Sequence, residues 1–165
     1  MPFSLIFTAW KRGAMMRLLF LLVLVIFLSC TSAAYSKMLS VKAEKVQILS
    51  KPDKKSEIKW EYDKGFPLNV TSSQGEWVKV EDFEKDSGWV QKNLLSDQPA
   101  VIVKANKNTE EKINIHVGPG KDFKVIGQAF YGVVFKKLEQ KNDWVRVQHD
   151  SGLTGWMKGS FLWGY

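Results

Sequence analysis

Sixty-seven residues separate Trp77 from Trp144, and the same offset carries Pro52 onto Pro119, Gly65 onto Gly132, Val78 and Val80 onto Val145 and Val147, Gly88-Trp89 onto Gly155-Trp156, and Leu95 onto Leu162. The chain is one module written twice. Val46 to Leu95 slides over Ile113 to Leu162 without a gap, and ten of the fifty pairs are identical. A period this long marks a duplicated small domain rather than a solenoid, whose repeats run to about 20–50 residues. Whatever this chain does must lie within reach of a small module and its copy.

The segment before the repeats reads differently. Leu18 to Leu28 is an unbroken apolar run, preceded by Lys11, Arg12 and Arg17 and followed by small residues. That order is the pattern of a secretory signal, and eleven apolar residues fall short of the roughly 20 a spanning helix needs. The pattern predicts a signal peptide over residues 1–34 with cleavage after Ala34. The alternatives are an uncleaved membrane anchor and a lipoprotein acylated at Cys30; Phe27 and Leu28 are bulky where the latter usually wants small or branched residues. Met15 or Met16 are alternative starts.

Cys30 is the chain's one cysteine. With it removed, the mature protein has no disulfide, no thiolate ligand and no cysteine nucleophile. Loss of Lys11, Arg12 and Arg17 leaves 21 bases (24 − 3) against 17 acids, a net of +4. The first repeat is neutral and the excess belongs to the second, 10 bases against 6 acids in Pro99 to Tyr165. This is too mild for a nucleic-acid stripe. It suits a solvated Lys-rich surface, the commoner case, or an anionic surface such as a wall polymer or lipid head groups.

Period-2 alternation recurs at Phe66 to Val70, Trp77 to Val80, Val101 to Ala105, Val133 to Leu138 and Trp144 to Val147, with Gly, Asn, Asp, Ser and Pro between. The expectation is an all-β chain of small barrels or sandwiches, one over residues 35–97 and one over 98–165. A lone core is marginal at this size, so the modules should dock, and Ser96-Asp97-Gln98-Pro99 is a short joint. Val41-Lys42-Ala43 and Val103-Lys104-Ala105 match at an offset of 62, which puts five extra residues in the second repeat within Asn106 to Lys112. Function can differ between copies in such a loop.

Ile113-Asn114-Ile115-His116-Val117-Gly118-Pro119-Gly120, then Gly132, Trp144-Val145-Arg146-Val147 and Gly155-Trp156-Met157, resembles the bacterial SH3-like domain, whose usual wording is L-N-V-R-S-G-P-G, then G, W-x-K-V and G-W-V. The first repeat is similar through Gly65-Phe66-Pro67-Leu68, Trp77 and Gly88-Trp89-Val90. The resemblance implies two tandem small SH3-like β-barrels in an exported protein, with peptidoglycan stem peptide as the leading ligand class. Where that family has Arg, this chain has His116 and Leu49, and Ser50-Lys51-Pro52-Asp53 replaces the Gly-Pro-Gly turn, which should weaken it.

Catalysis is poorly supplied. Two His, no mature Cys, no phosphate loop and no spaced His and carboxylate cluster argue for no enzyme, no metal and no cofactor. His149 beside Asp150 reads as a solvated turn residue. Binding is better supplied, since alternation puts Val145 and Val147 inward and Trp144 and Arg146 outward. Gly155-Trp156-Met157-Lys158-Gly159-Ser160-Phe161-Leu162 resembles the Gly-Tyr-Ile-Pro-Ser-Asn-Tyr-Val segment of eukaryotic SH3 domains. That likeness implies that Trp156 and Phe161 join Trp144 on the groove side, that Met157 and Leu162 lie inside, and that Lys158 replaces the groove proline.

The expected ligand-binding set is therefore Trp144, Trp156, Phe161, Arg146, His116 and Lys158, with first-repeat equivalents Trp77, Trp89 and Lys79. Aromatic faces of this kind suit stiff peptides or sugar rings. The expected partners are a peptide or cell-wall polymer, or an envelope protein served by an adaptor or a hydrolase accessory; neither nucleic acid nor, after cleavage, a stable membrane span is expected.

Overall fold

The computed structural model describes residues 36–165. The expected signal peptide, its alternatives and Cys30 lie outside the described residues. Fourteen strands form two seven-stranded antiparallel sheets of identical connection. The first holds β1 (Lys37–Val41), β2 (Lys45–Leu49), β3 (Ile58–Asp63), β4 (Pro67–Gln74), β5 (Trp77–Glu81), β6 (Ser87–Gln91) and β7 (Leu95–Ser96), in the order β3-β2-β6-β5-β4-β1-β7. The second holds β8 (Ala100–Val103), β9 (Ile113–His116), β10 (Val125–Ala129), β11 (Val134–Lys141), β12 (Trp144–Gln148), β13 (Thr154–Lys158) and β14 (Leu162–Gly164), ordered β10-β9-β13-β12-β11-β8-β14. A single 3-10 turn precedes the last strand of each sheet, Lys92–Leu94 and Gly159–Phe161. The described chain is all-β, two tandem SH3-like barrels.

The repeat extends to the irregularities. The register slips between Val70 and Ser72 on β4 and between Lys137 and Glu139 on β11, positions related by the offset of 67. A second slip opposite Ile48 and Leu49 has its counterpart between Val125 and Gly127. Each leaves one residue unpaired, bends its strand and raises the local twist that curls a short sheet on itself. Both copies therefore bend at the same places.

Each barrel has its own core. Val41, Val46, Ile48, Leu68, Val70, Val78, Val80, Val90 and Leu95 fill the first, and Val101, Val103, Ile113, Ile115, Phe135, Val145, Val147, Met157 and Leu162 are the bulk of the second. The four valines of the W-V-[KR]-V segments are all buried, as strand parity predicts. Lys51-Pro52-Asp53 corrects the expectation of a weakened turn. Asp53 N–H donates to Lys51 O and Ser56 N–H to Asp53 O, the same bonds that Gly120 N–H and Phe123 N–H make to Gly118 O and Gly120 O. Neither Gly118 nor Gly120 takes a positive φ, so the turn itself does not demand glycine, and in the first copy the Ser56 hydroxyl adds bonds to the Lys51 and Asp53 carbonyls.

The barrels meet along a seam. Ile102 lies between the core residues Val101 and Val103, so it points away from the second core, yet it is wholly buried. Phe83, from the β5–β6 turn of the first barrel, packs against Tyr131 and Trp163 of the second, ring centroids 5.3 and 6.4 Å apart. Beside them the Glu84 carboxylate accepts from the Tyr131 hydroxyl and pairs with Lys107 at 2.8 Å. The short joint is tied to both sides: Ser40 Oγ donates to Gln98 O, and Lys137 N–H to Pro99 O.

Candidate functional site

Gly155 is where the site begins. An added Cβ there would lie 2.5 Å from Ile115 Cγ2 and 2.8 Å from the His116 carbonyl oxygen, so β13 can cross β9 this closely only without a side chain. That crossing sets Trp156 opposite His116 on β9 and Arg146 on β12. The Trp144 ring meets the His116 ring edge-to-face, centroids 5.3 Å apart and planes at 85°. Lys158 is the direct cross-strand neighbour of Trp144.

His116, Trp144, Lys158 and Phe161 line one open cavity of about 710 Å³. Trp144 is half-buried, Lys158 and Phe161 are exposed, and His116 is 7 % exposed and forms the floor. Val145 and Met157, the chain neighbours of Trp144 and Lys158, lie in the core, so strand parity turns Trp144 and Lys158 outward, while Phe161 ends the 3-10 turn just before the buried Leu162.

The structure does not bring the whole expected set together. Trp156 is buried, 8 % exposed, and does not line the cavity. Alternation places its side chain on the outer side of β13, but an outer side need not be a wet one. Arg146 lies two residues along β12 from Trp144, outside the cavity, its guanidinium 3.5 Å from Glu139. In the first barrel Trp77 lines the matching cavity, and Trp89 and Lys79 do not.

That first cavity, about 510 Å³, is the offset image of the second. Lys45, Val46, Gln47, Leu49, Lys54, Trp77, Gln91 and Leu94 stand where Lys112, Ile113, Asn114, His116, Lys121, Trp144, Lys158 and Phe161 line the other. Position is duplicated and chemistry is not. The floor is Leu49 in one and His116 in the other, the residue opposite the tryptophan is Gln91 or Lys158, and the rim is Leu94 or Phe161. Sequence reasoning missed Lys112, Asn114, Lys121, Asp122 and Asp143 in the second cavity. Lys121 was findable, because Lys54 and Lys121 are one of the ten identical pairs.

The electrostatics differ as well. In the first cavity Lys45 sits 3.5 Å from Glu61, whose carboxylate also accepts from Gln47 Nε2 at 3.0 Å. The Gln47 bond holds the Glu61 carboxyl below the usual carboxylate range, opposed in part by desolvation and aided by Lys45. No such pair occupies the second cavity among the described residues. There Lys112, Lys121 and Lys158 stand with Asp122 and Asp143, the same surplus of one positive charge as Lys45 and Lys54 over Glu61, so the difference lies in the ion pairing and not in the net charge.

His116 Nδ1 lies 2.8 Å from the Phe123 carbonyl oxygen. Phe123 in turn packs over the Gly118-Pro119-Gly120 turn; a Cβ on Gly118 would lie 2.5 Å from its ring. In the first barrel the corresponding residues are Lys51 and Ser56, a side chain on one and no ring on the other. The glycines of the second turn therefore make room for Phe123, and Phe123 positions the cavity floor.

The other histidine is not half of a dyad. The ring of His149 packs on Phe135 at 5.4 Å and its Nδ1 accepts from Ser151 N–H, while Asp150 faces Lys136 at 3.6 Å. It is partly buried rather than solvated. Among the described residues no group of three or more His, Cys, Asp or Glu is placed to hold a metal ion.

Residues 42–97 and 111–162 each match the bacterial SH3 domain. The chain is 22 % identical over 154 residues, 86 % of its length, to the "Putative N-acetylmuramoyl-L-alanine amidase YrvJ" of Bacillus subtilis (strain 168), and spans 30 % of that protein. Among solved structures it is similar to NlpC2 from Trichomonas vaginalis, at 10 % identity and a TM-score of 0.36 over 81 % of this chain and 50 % of that one. A NlpC/P60 family protein from Bacillus cereus ATCC 10987 gives 14 % identity and 0.35 over 78 % and 56 %. The two domain matches cover more than half of the sequence at the positions of the two barrels, and the chain belongs to the bacterial SH3 domain family, with two such domains in tandem.

Proposed function

We propose that this protein is a non-catalytic cell-envelope binding protein whose second barrel holds a peptide-bearing wall polymer, peptidoglycan stem peptide being the leading candidate. The observation that carries the reading is the cavity in which Trp144 and Phe161 flank His116 and Lys158. Two aromatic faces offer a stiff peptide broad apolar contact at little entropic cost, and the polar pair between them can fix its register. The named amidase relative supports a wall setting, and because this chain spans only 30 % of it, a role beside a hydrolase is a reading that the same similarity favours. The predicted export signal is consistent with the same location.

The test is co-sedimentation with purified sacculi. Trp144→Ala should weaken retention by about tenfold or more, as loss of a central aromatic anchor does, with an unchanged urea midpoint because the side chain lies outside the core. Trp77→Ala should retain most binding. A Trp144→Ala protein that binds normally while Trp77→Ala does not would move the site to the first barrel, and retention of neither wild type nor variants would end the wall reading.

A further inference from the structure

The two cavities are lined from the same positions and differ most sharply in polarity at the floor. His116 and Leu49 occupy the same place, each 7 % exposed, so the substitution changes hydrogen-bonding capacity while keeping burial constant. A carbonyl oxygen can only accept, so the contact with Phe123 O requires that Nδ1 carry the proton. In the neutral ring Nε2 is then a bare acceptor. Among the described residues it has no hydrogen-bond partner, and it is not sealed in, since Tyr165 Oη is the one buried side-chain polar atom left without a partner there. The floor of the second cavity thus presents a lone pair whose direction is fixed from behind by Phe123. Lys158, across from Trp144, supplies only donors.

An acceptor and a donor lining one cavity with two aromatic rings match a group that offers one N–H and one C=O. We propose that the second barrel selects its ligand by an amide: His116 Nε2 accepts an amide N–H of an extended peptide while Lys158 Nζ donates to a carbonyl oxygen, and the first barrel, with Leu49 at its floor, lacks this selectivity. The proposal rests on the groove reading above and deepens it. His116 is the specificity-determining residue, and Phe123 positions it. A sugar ring stacked on Trp144 without an N–H at the floor would not meet this requirement.

The experiment titrates the folded protein with a blocked trialanine peptide and with analogues in which each amide N–H in turn is replaced by an ester oxygen, following the Trp144 indole resonance and the His116 15N signals. One ester should bind about fivefold more weakly than the peptide, the usual worth of one hydrogen bond. It should also fail to move the Nε2 signal. In His116→Leu, a change that copies Leu49 at equal burial, the peptide and all esters should bind alike; the Nε2 signal of the wild type gives the same answer with no variant at all. If every ester binds the wild type as well as the peptide does, or if the loss persists in His116→Leu, the amide inference is wrong and the groove reading survives. If neither peptide nor ester moves Trp144, both fail together.

Discussion

At the scale of single residues the Gly-Trp pairs carry two jobs that the sequence presents as one. The glycine is a packing requirement: at Gly155 a methyl group would press on Ile115 and on the His116 carbonyl. Gly155→Ala should cost about 1–3 kcal/mol by urea unfolding, the range for overpacking, and should shift the His116 resonances because the strain falls on its peptide. An unaltered midpoint would show that β13 can retreat from β9. The tryptophan that follows is buried although alternation assigns it to the outer side of β13, because alternation reports which side of a strand a residue takes and not what covers that side. His116 and Leu49 were legible as departures from an Arg position. Their shared depth was not, since burial at a strand crossing depends on strands distant in sequence.

At the scale of elements, turns and loops departed furthest from expectation. The first turn keeps its backbone bonds without glycine because neither turn places these positions at positive φ, and Ser56 and Asp53 add local side-chain bonds, which composition does not reveal. The five-residue insertion, expected to distinguish the binding of the two copies, reaches the seam instead: Asn106 and Asn108 take positive φ, a conformation asparagine tolerates, and Lys107 between them meets Glu84. Lys112, at its end, does line the second cavity and lies 4.7 Å from the centre of the Phe130 ring.

Hydrogen bonds from Lys107 and then Tyr131 hold the Glu84 carboxyl below its usual range. A carboxyl depressed on folding stabilises above its unfolded pKa, about 4.3 for Glu, and that contribution is lost as pH falls through the lower folded value. Between pH 6 and pH 3 the urea midpoint of the wild type should therefore fall further than that of Glu84→Gln. Equal losses would assign the acid sensitivity to other carboxylates, Glu61 first.

At the scale of the whole molecule the question is whether two barrels behave as one. Each has a closed core of its own, and each is of a size at which a core alone is marginal. What joins them is compact and unlike anything the repeat predicts: Phe83 corresponds to Asp150 and Tyr131 to Lys64, so the contact is made by residues that differ between copies. Duplication explains the barrels; divergence built the seam. Phe83 is its centre, touching Phe66 behind it and Tyr131 and Trp163 ahead, with the Glu84 pairs at the rim shielding little by themselves. If the seam couples the barrels, the wild type should melt in one calorimetric transition whose calorimetric and van't Hoff enthalpies agree. Phe83→Ser removes the aromatic centre and leaves both cores intact, so it should split that melt into two transitions, the less stable barrel unfolding several degrees earlier. Two transitions in the wild type would mean that the barrels are independent and that the grooves have no fixed relation. A single transition surviving in Phe83→Ser would place the coupling in the joint, where Ser40, Gln98, Pro99 and Lys137 already bind the two sheets together.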